Sequence, residues 1–142
     1  MPLSTIPEVT WGGFRPPAAS AGSVRQAERI MAVLGVSRGG VPHVSEETLA
    51  RYHKYLAANL ALPFFAYYPQ PTNSDENSQF RRIVVELLDP TRYASDEIDG
   101  IFCKTRQGNF EVNLPLIELH LPENSPNSQL IEDYWYWMWN WR

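Results

Sequence analysis

The sequence predicts an α+β fold in which a small curled antiparallel sheet is preceded by two helices and followed by one. Three observations carry this expectation. Apolar residues recur at helical spacing in stretches near the two ends of the chain, and four or five short segments rich in β-branched and aromatic residues lie between them. The helices are grouped at the ends instead of alternating with strands, which separates α+β from a parallel α/β arrangement.

The chain has 142 residues, which fits one domain at about 100–200 residues each. Its composition, 44% hydrophobic and 13% aromatic, can fill a core without staples. Cys103 is the only cysteine, so no internal disulfide forms and thiol-based zinc patterns are absent. There is neither a basic, then apolar leader nor an apolar run long enough for a membrane span. We therefore expect a cytoplasmic protein with no membrane partner. A net charge of −4 argues against nucleic acid as a partner, because phosphate backbones need clustered Lys and Arg, and Arg81-Arg82 is too small a cluster.

Residues 1–21, rich in Pro, Gly, Ala and Ser, read as an extended or disordered arm with only Trp11 and Phe14 to bury. Residues 22–142 then form a single globular domain. From Ser23, "SVRQAERIMAVLG" places Val24, Ala27, Ile30, Met31 and Leu34 at helical spacing, with Ser at the N-cap and Gly35 at the C-cap. A second helix starts at Ser45, whose side chain and the carboxylates of Glu46 and Glu47 answer free amides, and carries the stripe Leu49, Tyr52, Leu56 and Leu60 until Pro63 stops it.

Sheet strands are expected over about 63–114. "FFAYY" leaves the second helix, and "FRRIVVELL" follows the polar loop "PQPTNSDENSQ". The acidic connection "DPTRYASDEIDG" leads to a hairpin of "IFCKTR" and "FEVNLPL" joined by the three-residue turn "QGN". Cys103, inside a strand, reads as a buried structural thiol.

The end of the chain, "DYWYWMWNWR", has Trp at every second position. On a helix over about 128–139, capped by Asn127 or Ser128, residues Leu130, Tyr134, Trp137, Met138 and Trp141 make one stripe that Ile131 and Trp135 widen. A strand would need a partner the sequence does not supply. Trp135 and Trp137 are expected in the core and Trp139 exposed; Glu132 and Asp133 would have to point away from the aromatic face to join a metal site.

"ARYHKYLAANLALPFFAYYP", "RIVVELLDP", "FEVNLPLIEL" and "NSQLIEDYWYWMW" together resemble the cyanobacterial calcium-binding protein family over roughly residues 48–139. The resemblance implies an α+β fold with a small SH3-like antiparallel β-barrel, two N-terminal helices and a C-terminal aromatic helix. It also implies a calcium ion as the ligand, held by clustered surface carboxylates in a buffer or regulator of weak affinity. Family members carry a denser acidic surface than the 16 Asp and Glu against 12 Lys and Arg found here, and the first forty residues have no counterpart.

Calcium takes six to eight oxygen ligands. The candidate metal ligands are Asp89, Asp96, Glu97 and Asp99 in the acidic connection, completed from a distance by Glu118 or Glu123. Ordinary turn chemistry by Asp is the competing account of that connection. In "NSDENS", residues Asn73, Asp75 and Asn77 copy the start of an EF-hand, but Ser78 replaces its glycine and Val84 its bidentate Glu, so the match fails. No enzyme is expected: His43, His53 and His120 are scattered, and neither a nucleophile motif nor a phosphate-cradling loop occurs. The alternative function is a protein- or peptide-binding module whose aromatic groove would use Tyr67, Tyr68, Tyr93, Tyr136 and Trp139.

Overall fold

A computed structural model describes residues 21–69, 79–93 and 96–142. The arm over residues 1–20 and the loop with Asn73, Asp75 and Asn77 lie outside the described residues. Helix α1 spans Ala21–Val33 and α2 spans Glu46–Asn59, followed by strands β1 (Phe64–Pro69), β2 (Gln79–Leu87), β3 (Phe102–Gln107) and β4 (Phe110–Pro115). A 3-10 turn, Leu116–Glu118, leads to helix α3, Ser128–Trp141. The described residues thus make an α+β fold, with a four-stranded antiparallel sheet and three α-helices among them.

Local chemistry explains most boundaries. At the end of α1, Gly35 adopts φ +76, its amide donates to Ala32 and the amide of Val36 reaches back to Met31 at 2.9 Å. This is the left-handed cap expected of Gly35. The helix begins two residues before the predicted cap Ser23, which lies inside it. At the start of α2, Ser45 Oγ accepts from the Thr48 amide and Thr48 Oγ1 accepts from the Ser45 amide, a reciprocal capping box.

The strands pair as a meander, β1-β2-β3-β4. A bulge at Val85 lets Val84 face Thr105 while Glu86 faces Lys104, so Val84 and Leu87 are both buried although three positions apart. The β3–β4 turn has two residues, not three, because Gln107 pairs with Phe110 and Gly108 takes φ +61.

The sheet is open, with β1 and β4 as its edges, where the resemblance implies a small SH3-like barrel. Among the described residues the chain returns to β1 at one bridge, where Tyr67 and His120 exchange both backbone hydrogen bonds at 2.7 and 2.8 Å. The next pairs along such a ladder, 65 with 122 and 69 with 118, would each need an amide from Pro122 or Pro69, and proline has none.

The core sits between the sheet and the helices. Tyr52 of α2 stacks on Trp137 of α3 at 4.8 Å between ring centroids and meets Tyr134 edge-on at 5.2 Å. Trp137 is fully buried and donates Nε1–H to the Pro42 carbonyl at 2.9 Å. Trp135 is half-buried and donates to Ile117, while Trp139 is exposed at 38%. Burial pushes the Cys103 thiol up to about 12, in keeping with a structural residue.

One expectation about α3 needs correction. Asn127 occupies the N-cap position, but its side chain makes no capping bond; its amide group pairs with both backbone atoms of Ala61, joining the start of α3 to the end of α2. Asp133 is buried and accepts from Arg29 Nε at 2.8 Å and Gln26 at 2.9 Å, so it does not point outward to a metal site. The ion pair seats α1 on α3, and it holds the Arg29 guanidinium above its usual range. Among the described residues, no helix is long and apolar enough to cross a membrane.

Candidate metal centre

The acidic connection between β2 and β3 is built from turns that its own carboxylates fix. Asp89 Oδ1 accepts from the amide and hydroxyl of Thr91 at 2.9 and 2.8 Å. These bonds hold its carboxyl below the usual carboxylate range, with His53 and Arg92 adding smaller effects. Asp96 Oδ1 accepts from the amides of Ile98 and Asp99 at 2.9 and 2.7 Å, and its carbonyl accepts from Gly100. Each carboxylate therefore closes its own turn and keeps its second oxygen outside that bonding.

Gly100 ends the connection at φ +68, and a Cβ there would run into the Tyr134 hydroxyl and the Met138 methyl. The next residue, Ile101, donates its amide to Tyr134 Oη at 2.8 Å. The acidic connection is thus anchored on the aromatic helix at one end.

The predicted ligands fall into four places. Glu118, presented by the 3-10 turn after β4, feels the charge of Asp99: burial raises the Glu118 carboxyl above its usual value, the Asp99 charge raises it further, and a hydrogen bond from Tyr68 works the other way. Asp96 and Glu97 line a groove with Glu46 from the first turn of α2. Asp89 lies towards His53. Glu123 is exposed beyond the His120 bridge. Among the described residues, no three His, Cys, Asp or Glu side chains converge closely enough to hold a metal by themselves.

Two contributors are invisible to the sequence reading. Tyr68 hydrogen-bonds Glu118 and is itself raised by burial and that neighbour; behind its ring, at 5.7 Å, lies the buried guanidinium of Arg82, whose Nε and Nη1 have no hydrogen-bond partner among the described residues. Glu46 comes from an element half the chain away from the acidic connection, and its sequence signal was that of a helix start. Of the residues expected to line an aromatic groove, Tyr136 is buried against Trp141, and Tyr67 and Tyr68, adjacent on a strand, point to opposite faces.

Oxygen donors alone, carboxylate and backbone carbonyl, suit a hard cation of the calcium type. The like charges of Asp99 and Glu118, near enough for one to raise the carboxyl of the other, are the kind of pair a divalent ion relieves. A family model described as calcium binding, Calci_bind_CcbP, matches residues 43–138. The chain belongs to this calcium-binding family. Calcium is accordingly the ion that membership assigns. The match begins just before α2 and leaves α1 outside it.

The fold is also similar to that in "The crystal structure of Anabaena CcbP", with a TM-score of 0.59 and 17% identity over 81% of this chain and 89% of that one. At that identity the likeness is one of fold. No curated protein matches the chain.

Proposed function

We propose that the protein is a non-enzymatic, cytoplasmic calcium buffer or regulator that holds the ion at Asp99 and Glu118, with Asp96 and Glu97 at the margin of the site. The observation that carries this reading is that Asp99 and Glu118, two carboxylates from separate elements, lie near enough for the charge of one to raise the other. Family membership supports the choice of ion. In this reading backbone carbonyls and water complete the coordination, and Asp89 contributes charge from nearby instead of a bond. With two or three carboxylates the expected affinity is on the order of 10⁻⁵–10⁻³ M, suited to buffering. The open sheet with its Tyr67–His120 bridge is read as an SH3-like barrel reduced to one residue at its closing strand.

The test is a calcium titration of the full chain followed by amide chemical shifts and calorimetry. Shifts centred on residues 96–99 and 118 are the expected result. Heat and shifts centred elsewhere would keep the ion and overturn the ligand set; a folded sample silent at millimolar calcium would remove the function.

A further inference from the structure

An open groove of about 500 Å³ lies between the first turn of α2 and the β2–β3 connection, lined by Glu46, Leu49, Pro90, Asp96, Glu97 and Ile98. Its apolar part is formed by Leu49, Pro90 and Ile98, and Ile98 is 64% exposed, an unusual degree for an isoleucine held in a turn by two hydrogen bonds. Among the described residues, all three charged groups lining it are acidic. Neither Glu46 nor Glu97 forms an ion pair with another described residue. The capping of α2 is already supplied by Ser45 and Thr48, so Glu46 is not required there. The helix end itself contributes about half a positive charge, too little to offset three carboxylates.

The rim also shows how this surface receives a cation. Arg142 Nη1 donates to the Ile98 carbonyl at 2.9 Å, and the same guanidinium lies 4.6 Å from the centroid of the exposed Trp139 ring. A carbonyl and an aromatic face together seat one arginine at the edge of the groove, leaving Glu46 and Glu97 for others.

We propose that this groove is a docking surface for a basic segment of another protein, anchored by one leucine-sized side chain. The anchor enters between Leu49, Pro90 and Ile98, and flanking Lys or Arg side chains meet Glu46, Asp96 and Glu97. The acidic rim repels phosphate and selects against acidic segments. Asp96 and Glu97 also border the proposed calcium site, so calcium and the basic segment weaken each other's binding by the same factor; this coupling, unlike the surface itself, rests on the calcium reading.

The experiment titrates isotope-labelled full-length protein with a capped hexapeptide, Arg-Leu-Arg-Arg-Leu-Arg, following amide shifts. The expected result is a set of shifts at residues 46–49 and 96–98. Replacing the peptide's arginines by glutamate should abolish them, and replacing its leucines by serine should weaken them. The double variant Glu46→Gln with Glu97→Gln, both exposed and neither needed for folding, should bind roughly three- to tenfold more weakly, as two surface ion pairs allow. Undiminished binding by that variant, equal binding of the glutamate or serine peptide, or shifts elsewhere would overturn the docking surface. In saturating calcium the peptide should bind more weakly. Undiminished shifts at the groove would leave the docking surface supported and take Asp96 and Glu97 out of the calcium site.

Discussion

The aromatic helix α3 and the acidic β2–β3 connection touch at Gly100, yet they are held in opposite ways. On α3 the polar atoms find partners far away in sequence: Trp137 on Pro42, Trp135 on Ile117, Asp133 on Arg29. In the connection the side-chain bonds close within three residues, from Asp89 to Thr91 and from Asp96 to Ile98 and Asp99. The helix is fixed by burial, so its composition is spent on stability. The connection is fixed by short turns, which leave carboxylate oxygens at the surface for a cation or a partner.

The largest effect is expected on the helix side. Trp137→Ala should cost roughly 3–5 kcal/mol in urea unfolding, through lost burial and the cavity left against Tyr52. An unchanged midpoint would break the contrast by removing α3 from the core. Next comes Gly100→Ala, which imposes a Cβ at φ +68 against Tyr134 and Met138. About 2–4 kcal/mol is expected from strain and overpacking together. A cost near zero would mean that the connection does not lean on the helix.

A smaller effect should appear with pH. Burial pushes the His120 imidazole down to about 4, against about 6.5 in an unfolded chain. The unfolded state therefore takes up the proton first, and the stability present above pH 6.5 is lost as the pH falls towards 4. The loss should be roughly 1–2 kcal/mol, allowing for partial contact with solvent. Glu118 and Glu132, raised by burial, run the other way, since the folded state holds their protons more tightly. The measurement is thus the difference in unfolding free energy between the wild type and His120→Leu across pH 4–7, which should shrink as the pH falls. A difference that stays constant would show that His120 does not titrate in this way.

The smallest change in stability should come from the connection itself. Asp99→Asn with Glu118→Gln should move the unfolding free energy by no more than about 0.5 kcal/mol, as surface changes do. The same variant should lower calcium affinity on the order of tenfold or more, measured by calorimetry. If stability fell sharply and calcium binding survived, the two regions would have exchanged roles.

Much of the fold was legible in the chain. Gly35, Ser45, Pro63 and the two segments of the β3–β4 hairpin mark their boundaries by local chemistry, and the matched family region, 43–138, nearly coincides with the stretch that carried the resemblance. The site was legible only in pieces. Asp96, Glu97 and Asp99 announce themselves as one acidic run, yet in the structure the charge of Asp99 acts on Glu118 while the other two line a groove with Glu46. The side chain of Asn127 leaves the capping bond, its local default, for Ala61, and Asp133 finds its partner in Arg29; both partners are too distant in the chain to show as spacing.

The sequence by itself determined the order of helices and strands, the turns of the acidic connection and the helical nature of the tryptophan-rich end, because each follows from periodicity, caps and turn residues a few positions apart. Only the tertiary structure decided that the sheet stays open at Pro69 and Pro122, that Tyr68 reaches Glu118 and that Glu46 joins the groove. Those outcomes depend on how separate elements pack against one another, and side chains brought together across that distance leave no spacing in the chain to read.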